Sequence, residues 1–245
     1  MPVHFDGFGN SGVWLLGQDL GIEANGPVSM GAWIWPENSG SSQHIIAIVD
    51  SIDTLQDRFS LQTAGAETGD PIRAQTTQAG GHANADTPAG YDLNQWQFVA
   101  GTFSDGGSFR AGYLYKPYVG LGTLYKGTNS DTKIPSPWSG HQASVSGAWS
   151  GSGLNSPFEG CIAYAFIFDY FLEDADILEM GKGVLAPSVR QGSLTPNLKT
   201  FLQLNNVVTA GNNSYGPNYT VGSTLAECAD GLPPVFLPKA YVRWI

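Results

Sequence analysis

Residues 158–183 read FEGCIAYAFIFDYFLEDADILEMGKG, and this stretch decides the fold class. Its first half is almost continuously apolar, which is typical of a strand covered on both faces. Strict alternation predicts one face made of Ile162, Tyr164, Phe166 and Phe168, and an opposite face made of Cys161, Ala163, Ala165 and Ile167. We therefore predict an inner strand of a layered β-structure.

The acidic second half predicts a short helix over 173–180. Leu172, Ala175 and Leu178 recur at helical spacing, and acidic residues in a first turn are favoured by the helix dipole. Asp174 is expected to cap the helix, and Gly181 to end it. It is the one convincing helix in the sequence.

Elsewhere, short strand-like runs alternate with Gly, Pro, Asn and Ser clusters, which is the all-β pattern. In VSMGAWIW, at 28–35, aliphatic residues occupy one face and Trp33 and Trp35 the other. Two stretches of low hydrophobicity, 65–94 and 120–157, are predicted to be long loops or irregular insertions. The clearest strand-like runs lie at 28–35, 44–51, 58–64, 95–103, 109–116, 161–171 and 200–208.

Composition excludes several function classes. Charged residues make up 13% of the 245-residue chain, and the formal net charge is −10. Because Lys and Arg form no cluster, we expect no nucleic-acid partner and no attraction to an anionic membrane. The chain has no apolar run long enough to span a bilayer, so we expect no membrane insertion.

The N-terminus and the cysteines bear on location. MPVHFDGFGN, at 1–10, has neither a basic start nor an apolar h-region, so we expect no signal peptide. Cys161 and Cys228 define no disulfide framework and no CxxC pair. Because Cys161 lies within an apolar strand, we interpret it as a buried free thiol.

Five blocks fall in a recognisable order: HFDGFGNSGVWL at 4–15, VSMGAWIWPE at 28–37, NQWQFVAGTFSDG at 94–106, GYLYKP at 112–117, and 158–183. In this order they resemble the laminin-G-like and pentraxin-like branch of the concanavalin A-like lectin/glucanase superfamily. The resemblance covers about residues 1–183. It implies a jelly-roll sandwich of two antiparallel sheets.

The resemblance also suggests a division of the chain and a context. We predict a jelly-roll unit at 1–192 and, at 193–245, a final strand with a C-terminal extension packed on the same domain or on a neighbouring subunit. LKTFLQLNN at 198–206 and GLPPV at 231–235 resemble the ends of members encoded by phages and environmental viruses. This resemblance implies a virion component made in the host cytoplasm, with an extracellular protein as the alternative.

The superfamily's glucanases carry E-x-D-x-x-E on a strand, and Asp174, Asp176 and Glu179 imitate that spacing. Asp174 replaces the nucleophilic Glu, and the segment reads as a helix rather than a strand. We therefore predict no catalytic residues and no enzyme. The sequence also has no G-x-S-x-G motif and no HExxH motif.

Many relatives bind calcium through loop Asp and Asn oxygens, so we consider a calcium site formed by such residues. No DxDxD-type ligand loop occurs, and we expect a solvated loop, no metal site and no cofactor. The candidate oxygen donors are Asp6, Asn10, Asp50, Asp53 and Asp57.

The segment 136–153 has the composition of a recognition loop. It offers Trp138, His141, Gln142 and Trp149 among small residues, and exposed aromatic faces with amides are the groups that bind sugars. The alternative is that both tryptophans anchor a long loop on the sandwich.

The C-terminal residues are unusually apolar for a free end. They would either cover a sheet edge of this chain or dock on another subunit, so we treat them as a candidate assembly interface. These residues are Phe236, Leu237, Tyr241, Val242, Trp244 and Ile245.

The sequence thus predicts a non-enzymatic structural protein of a phage, on the surface of a head or tail. Decoration or attachment would be its role, with other virion proteins, itself or a surface polysaccharide as partners. A stand-alone carbohydrate-binding lectin is the first alternative. A glycoside hydrolase or lyase of the same superfamily is the second.

Overall fold

The computed structural model describes residues 2–8, 13–14, 20–50, 58–79, 81–138, 140–149, 153–183, 195–204, 220–221, 225–229 and 233. At 13–14, 149, 195 and 220–221 the description extends to the backbone alone. All structural statements below refer to these residues.

The described residues are dominated by β-strands. One α-helix, α1, spans Asp174–Gly181, and 3-10 turns lie at Asp105–Gly107 and Thr195–Asn197. The strands are β1 (Val3–Asp6), β2 (Val13–Trp14), β3 (Val28–Pro36), β4 (Ser42–Asp50), β5 (Arg58–Ala64), β6 (Pro71–Gln78), β7 (Gly81–Gly90), β8 (Gln97–Phe103), β9 (Arg110–Lys116), β10 (Thr123–Asn129), β11 (His141–Val145), β12 (Ala148–Trp149), β13 (Leu154–Asn155), β14 (Glu159–Phe168), β15 (Leu198–Leu202), β16 (Thr220–Val221) and β17 (Ala226–Glu227).

Two antiparallel sheets form the sandwich. The first has the order β10-β9-β8-β3-β14-β1-β17, with β15 paired to the second half of β14. The second has the order β16-β2-β11-β4-β5-β6-β7, and β12 and β13 form a separate hairpin. The predicted all-β jelly-roll sandwich with one short helix is confirmed. Strands β15 and β17, from the segment after residue 192, are part of the first sheet.

The central strands of the first sheet, β9, β8, β3 and β14, are buried on both faces. Val28, Met30 and Ile34 of β3 point into the core between the sheets. Trp33 belongs to a second apolar cluster on the outer face, which also includes Ile177 and Met180 of α1. The predicted alternation of β3 is therefore confirmed, and the helix covers the aromatic face.

Strand β14 departs from strict alternation at Tyr164. This residue has φ +54, and the pairing with β3 shifts register between Ala163 and Phe166. A bulge of this kind inserts one residue and reverses the faces beyond it. The predicted faces of β14 are therefore correct for Ile162 but wrong beyond the bulge, where Ala165 and Ile167 face the core between the sheets and Phe166 and Phe168 face the outer cluster.

The glycine of the FEG motif has a specific structural role. Gly160 has φ +133, and a Cβ at this position would overlap the carbonyl oxygen of Trp35 in the neighbouring strand. Both facts require glycine where β14 begins to pair with β3.

The prediction of long loops at 65–94 and 120–157 was wrong. The first stretch contains the β6–β7 hairpin, and the second contains β10 and β11. The inward residues of the hairpin include the small Ala74 and Ala85, and its other face is largely polar. The hydrophobicity of the β6–β7 segment is therefore low although both strands are regular.

The short helix is confirmed, but its ends differ from the prediction. Glu173 is the N-cap rather than Asp174, and the Asp176 carboxylate accepts a 3.2 Å hydrogen bond from the Glu173 N–H. Gly181 is the last helical residue, and Gly183, with φ +94, takes the left-handed conformation that follows the helix.

The cysteine prediction was also wrong. Cys161 in β14 and Cys228, next to β17, form a disulfide, and both side chains are 0% exposed. The bond ties the segment 225–229 to β14, and β17 within this segment pairs with β1 at the edge of the first sheet. The tail residues Phe236, Leu237, Tyr241, Val242, Trp244 and Ile245 lie outside the described part of the chain.

Candidate functional site

A cleft of about 430 Å³ lies at one end of the sandwich. One wall is the segment 21–25, which precedes β3, and the other is the segment that leads into β11. Its lining is mixed, with three polar side chains, one indole ring and several small residues. The described lining residues are Gly21, Ile22, Glu23, Ala24, Asn25, Pro137, Trp138, Gly140 and His141.

Trp138 is held in a defined orientation. Its ring N–H donates a 3.1 Å hydrogen bond to the carbonyl of Ile22, and Phe59 meets the ring edge-on at a centroid distance of 5.8 Å. The side chain is half-buried. Because the ring nitrogen is already bonded, what the indole can still offer to a ligand is apolar surface.

His141 lies beside Trp138 in the wall that leads into β11. The ring is buried, and its Nε2 accepts a 3.2 Å hydrogen bond from the N–H of Leu20. A backbone N–H can only donate, so Nε2 carries no proton. The ring lies 5.7 Å from that of Trp138. His141 therefore connects β11 to Leu20, next to the opposite wall, and packs against the Trp138 ring.

The segment 20–25 presents polar side chains to the cleft by strand-like alternation. Leu20, Ile22 and Ala24 are buried, while Glu23 and Asn25 are exposed. Two backbone bonds fix its course, because the N–H of Gly26 bonds to the carbonyl of Glu23 and that of Gly106 to the carbonyl of Asn25, at 3.1 and 2.8 Å. Glu23 and Asn25 are not among the site residues predicted from the sequence, although the alternation in LGIEAN marks both as exposed.

The four predicted ligand-binding residues do not form one group. The structure brings Trp138 and His141 together in the cleft. Gln142 follows His141 in β11, and alternation places it on the opposite, outer face of the second sheet, where it is half-buried. Trp149 lies in β12, and its side chain is outside the description.

Asp174, the first residue of α1, has a structural role. Lys126 Nζ lies 2.6 Å from an Asp174 carboxylate oxygen, and the Tyr113 hydroxyl donates to the same oxygen at 2.8 Å. Partial burial opposes ionisation of Asp174, but these hydrogen bonds outweigh it and hold the pKa of the carboxyl below its usual value. Asp174 thus anchors α1 to β9 and β10.

The histidines also lie in separate environments. His4 contacts Glu37 at 3.1 Å, and His82 is exposed on β7. Burial, and then the nearby charge of Arg58, lower the pKa of His44 to about 3, so that its ring is neutral near pH 7.

Within the described residues, no group of three or more His, Cys, Asp or Glu side chains could hold a metal ion. Of the calcium candidates, Asp6 is exposed at the end of β1 and Asp50 ends β4. Asn10, Asp53 and Asp57 lie outside the described part. A search of the described helices finds none with the length and apolarity needed to cross a membrane.

Comparison with solved structures gives several likenesses at low identity. The heptameric SAP-like pentraxin of Limulus polyphemus aligns with a TM-score of 0.56 and 14% identity, over 82% of this chain and 90% of the pentraxin. A putative carbohydrate binding protein from Bacteroides ovatus aligns with a TM-score of 0.60 and 14% identity, over 94% of this chain and 61% of that protein. The enzymatically active domain of bacteriophage CBA120 tailspike protein 2 aligns with a TM-score of 0.56 and 13% identity, over 78% of this chain and 28% of the tailspike chain. At these identities the likeness concerns the fold.

A search of curated protein sequences gives no match. A sequence model of the concanavalin A-like lectin/glucanases superfamily does match, over residues 8–178. This match covers most of the sandwich, including the first part of α1, and it contains three of the five blocks of the predicted resemblance in full and the other two in part. The chain therefore belongs to the concanavalin A-like lectin/glucanases superfamily.

Proposed function

We propose that this protein is a non-enzymatic carbohydrate-binding domain that binds its ligand in the cleft between the segments 21–25 and 137–141. One observation carries the proposal: the half-buried Trp138 ring is fixed through its nitrogen and lines one cleft together with the exposed Glu23 and Asn25. Aromatic surface beside a few oriented polar groups is the usual chemistry of a sugar site.

The lining favours binding over hydrolysis. Glycoside hydrolases generally need two carboxyl groups on opposite sides of the scissile bond, about 5 to 10 Å apart. Among the described lining residues, Glu23 is the single carboxylate. Asp174, Asp176 and Glu179, the alternative catalytic cluster, belong to α1 on the outer face of the first sheet. Release of reducing sugars from laminarin, agarose or carrageenan would contradict this part of the proposal.

Truncation of Trp138 should abolish most of the binding. On a glycan array, we expect Trp138→Ala to reduce binding at least tenfold, because truncation of an aromatic side chain that anchors a ligand typically costs about 2 kcal/mol or more. Since Trp138 also packs against Phe59, the melting temperature of each variant is measured alongside. Trp138→Phe should retain part of the binding.

The matched control is Tyr118→Ala, which removes a 42% exposed aromatic side chain that does not line the cleft. We expect its binding to equal that of the unmodified protein. An array on which no glycan is bound, or on which Trp138→Ala and Tyr118→Ala bind equally well, would contradict the proposal.

The biological context that we propose is the surface of a bacteriophage particle, in a decoration or attachment role. The fold-level likeness to a phage tailspike domain supports this context. The buried disulfide also supports it, since such bonds persist outside the reducing cytoplasm. Other virion proteins or further copies of this chain would be its partners. A stand-alone extracellular lectin is the alternative.

Mass spectrometry of purified particles tests this context separately from the sugar site. We expect peptides of this chain at a stoichiometry of many copies per particle. Their absence from particles, with the protein free in the lysate, would favour the stand-alone lectin.

A further inference from the structure

The lining of the cleft also bears on the class of sugar that it accepts. We infer that the cleft selects neutral sugar residues and rejects sugars that carry a carboxylate or sulfate. This inference rests on the carbohydrate-binding function proposed above and adds the ligand class.

Trp138 fixes how a sugar must lie. Its ring N–H is used by the Ile22 carbonyl, and Phe59 and His141 pack against the ring, so the part that faces the cleft is apolar. An apolar surface of this kind fits the C–H face of a pyranose ring. The hydroxyl groups at the ring edge then point towards the wall that carries Glu23 and Asn25.

Glu23 sets the hydrogen-bonding preference of that wall. An ionised carboxylate only accepts hydrogen bonds, and its bonds to hydroxyl donors are stronger than those between neutral groups. Adjacent sugar hydroxyl groups supply two donors to one carboxylate. Asn25 adds both a donor and an acceptor. A neutral sugar satisfies these groups, whereas a sugar carboxylate would bring a second negative charge against Glu23.

No cation among the described lining residues offsets that repulsion. Lys199 is the ammonium beside this wall, 3.7 Å from the position that a Cβ on Gly21 would occupy. Its Nζ lies 2.6 Å from a carboxylate oxygen of Asp169, so its charge is already balanced. The net charge of −10 adds long-range repulsion of anionic chains.

Matched sugar pairs test the inference. Gluco-, galacto- and manno-configured pyranosides and their C6 uronic acids are coupled at equal density to a carrier protein, and binding is measured by biolayer interferometry at low salt. The members of each pair differ in a CH₂OH or a carboxylate. We expect at least tenfold tighter binding of the neutral member. Higher salt should narrow the difference, because it screens the repulsion.

Two variants assign the selectivity to its source. Glu23→Gln should weaken binding of the neutral sugar severalfold and narrow the gap within the pair. Glu227→Gln removes an exposed carboxylate on β17. It should change neither the affinity for the neutral sugar nor the difference in affinity within the pair. Trp138→Ala should abolish binding of both members.

The outcomes separate this inference from the proposed function. If the uronic acid binds as well as the neutral sugar or better, and Trp138→Ala removes that binding, the inference is wrong and the proposed function stands. A preference for the neutral sugar that Glu23→Gln leaves unchanged would also overturn the inference. If no pair is bound in a Trp138-dependent manner, the proposed function itself is contradicted.

Discussion

Loss of the Cys161–Cys228 disulfide should lower the free energy of unfolding by about 3 to 4 kcal/mol. The two cysteines are 67 residues apart, so the bond closes a long loop and restricts the unfolded chain. Both side chains are fully buried, which means that reduction needs prior opening of the segment 225–229. For a chain of this length, we expect the melting temperature of the reduced protein to fall by roughly 10 °C.

The measurement compares thermal unfolding with and without reductant, and the thiol content is determined by alkylation and mass spectrometry. The control is the double variant Cys161→Ala/Cys228→Ala. It should melt near the reduced protein, and reductant should not change its melting temperature. A fully reduced protein that melts within about 2 °C of the oxidised one would show that β1 and the surrounding core hold the segment without the bond.

Replacement of Arg110 by Met should destabilise the fold by about 3 to 5 kcal/mol, because several buried acceptors lose their donor at once. The Arg110 side chain is 0% exposed, and burial lowers the pKa of its guanidinium. Its Nη2 donates to the carbonyls of Gly107 and Lys133, at 3.1 and 3.0 Å, and also to that of Asp131. Nη1 donates to the Asn129 side chain at 3.1 Å.

These bonds join the turn before β9 to the chain that leaves β10, so Met would leave several buried acceptors without donors. Arg110→Lys should lose less, because it keeps the charge but cannot reach separated acceptors with a planar fork. Lys182→Met, at an exposed position after α1, is the control and should change stability by less than about 0.5 kcal/mol. Urea unfolding measures the free energy of unfolding of the three variants. An Arg110→Met value within the range of the control would contradict this role.

The features that the sequence predicted correctly rest on short-range patterns. Alternation over 28–35 assigned the faces of β3, since a strand inside a sandwich repeats every two residues. The acidic first turn and the terminal glycines of 173–183 predicted α1, although choosing between Glu173 and Asp174 as the cap depends on a hydrogen bond that only coordinates show. The ordered blocks predicted the family and hence the two-sheet sandwich.

Half of the candidate site followed from composition. Trp138 and His141 were identified because aromatic and amide groups among small residues favour recognition. Gln142 was grouped with them although its strand turns it to the other face. Alternation marks Glu23 and Asn25 as exposed, but the cleft that they line also needs residues more than a hundred positions later, and a local pattern carries no information about that neighbourhood.

The sequence by itself determined the class of fold, the helix α1 and the aromatic outer face of the first sheet. Each depends on residues within one or two turns or pleats of each other. Tertiary structure alone decided the bulge at Tyr164, the pairing of Cys161 with Cys228, the burial of Arg110 and the position of Trp138 and Glu23 in one cleft. These depend on which distant strands become neighbours, and that is a property of the whole packed sandwich rather than of any local pattern.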